Sequence, residues 1–368
     1  MSTVARPPFR ADHVGSLLRP PELQLARARA ARGEIDRAAL RAVEDQSIRG
    51  AVALQESVGL QSVTDGEFRR DWWHIDFIRG FDGVETSTQS FGVKFQGADE
   101  QPPLMKVTGK IRRSRPSMLD HFTFLKSATT RTAKFCLPSP VMLHARGDRT
   151  TLKATYPDLD EFWADLTTAY REEIGALCEA GCTYLQVDDT TVAMMCDPKV
   201  REQVAKLGDD PTRLPAIYAE AVNAVLRDVP RDVTVAIHTC RGNFKSTWMA
   251  SGGYDPVAET VFTRLNVHAF FLEYDSDRAG GFEPLRFVPK GKQVVLGLIS
   301  SKVAELEKKD DLKRRIEAAA RYVPLENLCL SPQCGFSSTH HGNKITVDDQ
   351  RRKLALALDV AREVWGAS

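Results

Sequence analysis

The sequence lacks any run of about eighteen apolar residues, which is the length that a membrane-spanning helix needs. It also lacks an excess of either charge, because 50 lysines and arginines are balanced by 49 aspartates and glutamates. This near-neutral composition argues against a polyanionic partner such as a nucleic acid. We therefore expect neither a membrane nor a nucleic acid as partner, and expect the ligands to be small molecules.

Cysteine is scarce, with seven residues in the 368 and no framework spacing. The first ten residues, MSTVARPPFR, carry no apolar core of a secretion signal. An odd number of cysteines without such a signal is typical of a reducing compartment, so we expect a cytoplasmic protein with free thiols. In that setting a cysteine beside a histidine is a metal ligand or a core residue rather than half of a disulfide.

Glycine-rich nucleotide-binding loops are also missing, whereas short apolar segments are frequent. Most of these segments are continuous apolar runs, as expected for strands that are covered on both faces. Eight strands are predicted, at residues 10–18, 60–68, 133–143, 182–189, 233–240, 267–275, 293–300 and 327–336. Helices are predicted at residues 40–59, 159–181, 214–229 and 302–323, and after a capping pair formed by Thr346 and Asp349.

Eight strands that alternate with helices predict an α/β fold, a single (β/α)8 TIM barrel over residues 1–368. A doubly wound sheet is the alternative, although no glycine-rich motif follows a strand to support it. Residues 69–132, after the second strand, are too many for a loop. They predict an inserted subdomain or hairpin over the mouth of the barrel.

Active sites of such barrels lie at the carboxyl ends of the strands. The stretch VAIHTCRGN places His238 and Cys240 at the end of the fifth strand, where their spacing turns both side chains to one face. Glu273 ends the sixth strand and Cys334 ends the eighth. One imidazole, two thiolates and a carboxylate form a four-coordinate set that suits Zn²⁺, and their wide separation along the chain favours a catalytic metal.

A buried histidine or cysteine is more often an ordinary core residue, and the pattern alone leaves that interpretation open. Core positions are predicted for the other five cysteines, Cys136, Cys178, Cys182, Cys196 and Cys329. Glu273 is harder to explain as core, because a buried unpaired charge is costly.

Two further strand ends carry pairs of acids, Asp65 with Glu67 and Asp188 with Asp189. Such pairs serve as general acid and base, bind an ammonium group, or neutralise neighbouring arginines. The first strand ends in VGS, where a glycine lets the backbone approach a ligand and Ser16 offers a hydroxyl.

Over nearly its whole length the chain resembles the C-terminal catalytic domain of cobalamin-independent methionine synthase, and still more closely the short single-barrel relatives of that enzyme. The specific matches are HTC at 238–240, FLEYD at 271–275 and SPQCGF at 331–336. The resemblance implies a zinc site made by His238, Cys240, Glu273 and Cys334. It also implies that Ser16 contacts the carboxylate of an amino-acid substrate, and that Glu67 and Asp188 hold its ammonium.

The chain departs from the family in the half of the site that receives the methyl donor. The DEP motif is DDT here, with Asp189 in place of a glutamate, and LISSK at 298–302 lacks the acid–base histidine of the larger enzymes. No equivalent of the tryptophan that stacks on the folate pterin is evident, and the N-terminal half is absent. His13, Trp72, Trp73, His74 and His144 are candidates to shape the donor pocket, although ordinary packing explains each of them too.

These observations predict a methyltransferase that activates a homocysteine-like thiol on zinc and methylates it to methionine. Glu67 and Asp188 suit the ammonium of homocysteine and would repel the sulfonate of coenzyme M. The donor candidates are methylfolate, methylcobalamin on a partner protein, and methylated small molecules. The alternatives are an epoxide-opening alkyltransferase that uses coenzyme M, a non-catalytic binding protein stabilised by zinc, and a metal-free acid–base enzyme.

Overall fold

The computed structural model of the chain describes residues 6–90 and 102–366. Its strands are β1 (Ser62–Val63), β2 (Asp82–Ser90), β3 (Pro103–Arg112), β4 (Thr132–Pro138), β5 (Tyr184–Asp189), β6 (Thr234–Thr239), β7 (Ala269–Glu273), β8 (Gln293–Ile299) and β9 (Leu328–Pro332). All except β2 and β3 form one parallel sheet, in the order β1-β4-β5-β6-β7-β8-β9. The strands are buried on both faces, as their continuous apolar sequences predict.

Helices occupy most of the connections between the strands, as the predicted α/β alternation requires. They are α1 (Pro21–Ala31), α2 (Arg37–Val58), α3 (Ile75–Ile78), α4 (Leu119–Ala128), α5 (Val141–Arg146), α6 (Arg149–Thr155), α7 (Leu159–Glu179), α8 (Thr191–Met194), α9 (Pro198–Lys206), α10 (Leu214–Leu226), α11 (Ala258–Arg264), α12 (Lys309–Ala319) and α13 (Val347–Trp365). Short 3₁₀ turns lie at Asp277–Ala279, Glu283–Phe287 and Leu325–Asn327. Within the described part of the chain, no helix has the length and apolar character needed to cross a membrane.

Residues 10–17 lie between the two edges of the sheet and complete the TIM-type ring. On one side the backbone N–H of Asp12 donates to the carbonyl of Leu330 in β9 over 3.0 Å. On the other side Leu17 N–H donates to the carbonyl of Gly66, just after β1, over 3.1 Å. The predicted TIM-barrel fold class is therefore confirmed.

Several element boundaries predicted from the sequence are wrong. The strand expected over 60–68 is only Ser62–Val63, and the strand expected over 133–143 ends at Pro138. The first strand, expected over 10–18, is reduced to a single bridge at Ala11, because Gly15 takes a φ of +132° and turns the chain out of the ladder. The helix expected over 302–323 begins only at Lys309. The residues before it form a loop in which the N–H of Ser300 donates to the carboxylate of Glu307.

Between β1 and β4 the chain makes α3, an antiparallel pair of β2 with β3, and α4. The predicted insertion at 69–132 covers this segment, and it includes residues 91–101, which lie outside the described residues. Pro102, directly before β3, lines the cavity at the carboxyl end of the barrel. The domain division, a single barrel with an insertion over its mouth, stays a prediction.

A buried polar cluster inside the barrel anchors the segment at 10–17. The ammonium of Lys134 in β4 lies 3.2 Å from a carboxylate oxygen of Asp12 and donates to the carbonyl of His13 over 2.6 Å. The hydroxyl of Tyr184 in β5 donates to the other oxygen of Asp12 over 2.8 Å. Because the two opposite charges lie together, the first segment is held in register inside an otherwise apolar barrel.

Helix α13 begins with the predicted capping pair, which the structure confirms. Asp349 N–H donates to the Thr346 hydroxyl over 3.1 Å, and Thr346 N–H donates to the Asp349 carboxylate over 2.9 Å. We expect Thr346→Ala to lower the free energy of unfolding by about 1 kcal/mol, because one N–H loses its cap. Urea unfolding measures the change, and Thr346→Ser is the control that keeps the hydroxyl. Equal midpoints for the alanine and serine variants would contradict the assignment.

Candidate active site

Three of the four predicted metal ligands converge at the carboxyl end of the barrel. His238 lies in β6, Cys240 follows that strand, and Cys334 follows β9. One ligand atom from each residue lies within 4.8 Å of the other two, and all three side chains are buried. The Sγ atoms of Cys240 and Cys334 are 3.3 Å apart.

The two loops that carry the sulfurs are tied to the sheet and to each other. Cys240 N–H donates to the carbonyl of Asp189 over 2.9 Å, which continues the pairing of β5 with β6 past the end of β6. The side-chain amide of Asn243 donates to the carbonyl of Gly335 over 2.8 Å. The two sulfurs are thus positioned by backbone contacts before any ligand is present.

This set of donors fits a soft or borderline metal ion. The hydrogen bond from Cys240 holds the pKa of the Cys334 thiol well below its usual range, and the same bond raises the pKa of Cys240. Both ring nitrogens of His238 are buried, and neither makes a geometric hydrogen bond to the described residues. Two cysteine sulfurs beside a buried imidazole are the combination expected of a zinc site.

Glu273, the fourth predicted ligand, is fully buried but its carboxylate does not belong to the 4.8 Å group. One carboxylate oxygen accepts from the backbone N–H of Arg241 over 2.8 Å. The other accepts from the guanidinium of Arg278 over 3.2 Å and lies 3.9 Å from the ammonium of Lys302. These partners satisfy the charge of Glu273, and its role as a ligand stays a prediction.

The acids at two other strand ends meet beside this centre. Glu67 and Asp188 lie with Cys136 in a buried group whose polar atoms are within 4.8 Å of one another. Gln186 donates to Asp188 over 2.6 Å, whereas one oxygen of Glu67 has no hydrogen-bond partner among the residues described. Burial raises the pKa of Glu67 to about 7 and that of Asp188 to about 6. Two carboxyl groups with an incomplete set of partners can receive a cation.

Cys136 belongs to this acid group only by position. Burial raises the pKa of its thiol well above the usual value, and its Sγ donates to the carbonyl of Val14 over 3.2 Å. It therefore remains a neutral thiol that packs against the loop at 14–16. The prediction that this cysteine is a core residue is confirmed by its 2% exposure.

Ser16 reaches the cavity because two glycines leave room for this loop. A Cβ at Gly15 would lie 2.6 Å from the Sγ of Cys136, and a Cβ at Gly335 would lie 1.9 Å from the hydroxyl oxygen of Ser16. The backbone N–H of Phe336 donates to the carbonyl of Ser16 over 2.9 Å. Ser16 is thereby placed next to the Cys334 loop, while its contact with a substrate carboxylate stays a prediction.

One cavity, called the site cavity below, joins these groups. It is lined by Ser16, Glu67, Asp188, His238, Cys240 and Cys334, together with Trp72, Trp73 and His74. His13 and His144 lie elsewhere, His13 beside Lys134 inside the barrel and His144 against the hydroxyl of Tyr218 at 2.9 Å. Asp189 caps α8, because its carboxylate accepts from the hydroxyl of Thr191 and the N–H of Val192.

Several residues of the cavity wall were missed from the sequence, namely Arg146, Thr190, Ser338 and Thr339. They lie in loops and at helix ends that follow the strands, and no motif or regular spacing marks them. Arg146 ends α5, and a lone arginine at a helix end is usually a solvated residue. Here it is only 6% exposed, which the sequence pattern does not indicate.

The sequence was compared with protein families and with individual known proteins, and both comparisons find relatives of one family. Residues 9–363 match the family described as the catalytic domain of cobalamin-independent synthase. Two Bacillus subtilis proteins, the uncharacterised YxjH and YxjG, are 49% and 48% identical, over 97% and 98% of this chain and 95% and 96% of their own lengths. The Thermotoga maritima 5-methyltetrahydropteroyltriglutamate–homocysteine methyltransferase is 22% identical over 96% of this chain, which spans 45% of that enzyme.

Solved structures share the fold. A proposed vitamin-B12-independent methionine synthase from Listeria monocytogenes superposes with a TM-score of 0.77 at 37% identity, covering 98% of both chains. A B12-independent methionine synthase from a Shewanella species, in complex with selenomethionine, superposes with a TM-score of 0.73 over 96% of this chain and 97% of its own. At 19% identity the second comparison supports the fold alone.

Proposed function

The chain belongs to the family of cobalamin-independent synthase catalytic domains, and from this membership we propose that it is a zinc-dependent methyltransferase that converts homocysteine to methionine. The observation that carries the proposal is the convergence of His238, Cys240 and Cys334 beside the acid pair of Glu67 and Asp188 in one buried cavity. A sulfur site next to an ammonium site is what a thiol-bearing amino acid requires.

His238, Cys240 and Cys334 would hold the zinc, with Glu273 as the proposed fourth ligand. Bound zinc supplies a Lewis acid that keeps a coordinated thiol deprotonated at neutral pH. Without it most of a free thiol, with a pKa of about 8.5, is protonated and weakly nucleophilic. Arg278 and Lys302 both attract the Glu273 carboxylate, so this side chain has alternative partners whenever it is not a ligand.

The protein's own groups orient the amino acid. Asp188 and His238 are directly paired residues of β5 and β6, so the ammonium site and the sulfur site are neighbours on adjacent strands. Homocysteine has its ammonium and its sulfur at the two ends of a short carbon chain that can span this separation. Glu67 and Asp188 bind the ammonium, and Ser16 donates to the α-carboxylate. Alignment of the sulfur with the methyl carbon in a cavity that excludes water provides most of the rate.

The test is an assay of the zinc-loaded protein with homocysteine and with coenzyme M, using 5-methyltetrahydrofolate and methylcobalamin as parallel donors. We expect methionine from homocysteine with at least one donor and no methylation of coenzyme M, because Glu67 and Asp188 repel its sulfonate. If coenzyme M is alkylated while homocysteine gives no detectable product, the assignment of the acceptor fails.

A further inference from the structure

Arg146 is a buried arginine whose charge has no acidic partner. It is 6% exposed, and in the described part of the chain no aspartate or glutamate lies within 4.0 Å of its guanidinium. One terminal nitrogen donates to the hydroxyl of Thr190 over 2.9 Å and contacts the sulfur of Met249 at 3.8 Å. Its Nε has no partner among the described residues. A cation with so few partners at this depth is costly unless a ligand completes its contacts.

Two other buried arginines of the protein have more oxygen acceptors than Arg146. Arg19 donates to the carbonyls of Glu67, Arg70, Ser337 and Thr339. The guanidinium of Arg241 donates to the carbonyls of Gly252 and Glu273 and to the hydroxyl of Tyr254. The hydrogen bonds of Arg19 and Arg241 therefore stabilise the fold. Arg146 has a single oxygen acceptor, so most of its donor capacity is left for something else.

The position of Arg146 joins two spaces. It lines the site cavity, and it also lines an adjoining space, called the side cavity below. The side cavity has a largely apolar wall that includes Met194, Met195, Trp248 and Met249. Arg146 therefore lies where a molecule in the side cavity would reach toward the sulfur centre.

The other buried or half-buried charged groups of the side cavity already have partners, and Lys199 is exposed. Arg149 forms an ion pair with Asp209. The carboxylate of Asp197 accepts from the N–H of Lys199 at the start of α9 and from the N–H of Ser251, over 2.9 Å each. Arg146 is thus the buried cation here that is available to a ligand, and its ligand would be an anion.

The anion does not have to come from the amino-acid acceptor. Arg146 donates to the hydroxyl of Thr190, the residue after Asp189, and the carbonyl of Asp189 accepts from the N–H of Cys240. Arg146 therefore lies on the Cys240 side of the site. An amino-acid carboxylate is already provided for by the loop of Ser16. The source of the anion that contacts Arg146 is therefore the second substrate, the methyl donor.

We propose that Arg146 binds a negatively charged group, a carboxylate or a phosphate, of the methyl donor, and that the apolar side cavity receives the rest of that molecule. The proposal rests on the proposed function, since it assumes that the sulfur site holds the acceptor. It makes Arg146 a residue that selects the donor. Burial lowers the pKa of Arg146 to about 10, so the guanidinium is still cationic at neutral pH.

The experiment uses two pairs of probes that differ in the anion. 5-Methyltetrahydrofolate is compared with its glutamate diamide, in which both carboxylates are neutral amides, and methylcobinamide phosphate is compared with methylcobinamide, which lacks only the phosphate. Affinities are measured by calorimetry on the zinc-loaded protein. We expect the anionic member of at least one pair to bind about tenfold more tightly or better, which is the usual gain from a charge-assisted contact. The pair that responds identifies the source of the anion.

Variants then assign the preference to one side chain. In Arg146→Gln the preference should fall below about twofold, and in Arg146→Lys part of it should remain. Arg149→Gln is the matched control, since Arg149 lines the side cavity but is paired with Asp209, and it should keep the full preference. Inorganic phosphate should weaken binding of the anionic probe to the wild-type protein, which gives a second measurement if Arg146→Gln does not fold.

Three outcomes overturn the proposal: no preference in the wild-type protein for either pair, a preference that survives in Arg146→Gln, or a loss of homocysteine affinity in that variant. The last result would assign Arg146 to the acceptor. If homocysteine fails to bind the wild-type protein at all, the proposed function fails. A preference that depends on Arg146 would still be visible in that case, so the two failures are distinguishable.

Discussion

Purified Cys240→Ala and Cys334→Ala proteins are expected to contain no stoichiometric zinc and to methylate homocysteine about a thousandfold more slowly or worse. Each substitution removes one sulfur from a buried group in which the two sulfurs lie 3.3 Å apart. A structural or catalytic zinc site depends on its thiolates, and a metal in this role contributes several kcal/mol to the transition state. Elemental analysis of the protein and initial-rate assays measure the two effects.

Cys178→Ala is the matched control, because Cys178 is a half-buried cysteine of α7 that lies outside the metal group. It should retain both zinc and activity. Full zinc content in either Cys240→Ala or Cys334→Ala would remove the basis of the metal assignment. X-ray absorption with and without homocysteine then separates a catalytic from a structural zinc, since a new sulfur ligand should appear only in the catalytic case.

Replacing Glu67 with glutamine should weaken the binding of homocysteine and methionine by about 10- to 100-fold. The substitution removes a buried charge from the proposed ammonium site while keeping the shape of the side chain. Methionine is the better probe, because it has the ammonium and the carboxylate but no thiol proton to complicate the titration. The variant should also lose the preference of the wild-type protein for homocysteine over 4-mercaptobutanoate, which has no ammonium.

The pH dependence of methionine binding follows from the same carboxylates. Because burial raises the pKa of Glu67 to about 7, the free protein loses this charge as the pH falls through 7, and methionine affinity should fall with it. In Glu67→Gln the remaining decline should move to about pH 6, where Asp188 becomes protonated. An affinity for methionine that is constant between pH 5.5 and about 8 would argue against an ammonium site at this pair.

The same shift affects stability with a definite sign. A carboxyl group whose pKa is raised on folding stabilises the protein below its unfolded pKa of about 4.3, and that contribution is lost as the pH rises through the folded pKa of about 7. Above that pH the ligand-free protein carries a buried carboxylate whose cationic neighbour is Arg70, 3.9 Å away. A bound ammonium offsets this negative charge, which is consistent with a group kept for binding rather than for stability.

Much of the site was predictable because its signals are local. His238 lies near the end of β6 and Cys240 follows two positions later, and that spacing predicts that both side chains lie on the same face. The capping pair of α13 is equally local, since it needs only Thr346 and Asp349 three positions apart. The placement of Cys334 beside them needed the barrel, but the alternation of strands and helices predicts that barrel.

The wrong strand boundaries and the unforeseen partners of Glu273 depend on backbone conformation and tertiary contacts, which the hydrophobic periodicity of a sequence does not show. The sequence pattern does not reveal where a hydrogen-bonded ladder stops, so the strand expected at 10–18 is only a bridge at Ala11, and Gly15 with its positive φ turns the chain away after it. Glu273 was identified from its unusual burial. Its partners Arg241, Arg278 and Lys302 come from three separate loops that only the folded chain brings together.

By itself the sequence determined the fold class, the strand ends that carry chemistry, and the identity of the sulfur and acid groups, because each depends on residue type and short spacing. The tertiary structure decided which of those groups meet: three of the four predicted ligands within 4.8 Å, and the carboxylate of Glu273 beside Arg278 and Lys302. It also decided that Arg146 is buried with no acid within 4.0 Å among the residues that the structure describes. Burial and charge compensation depend on neighbours from distant parts of the chain, and no local pattern encodes them.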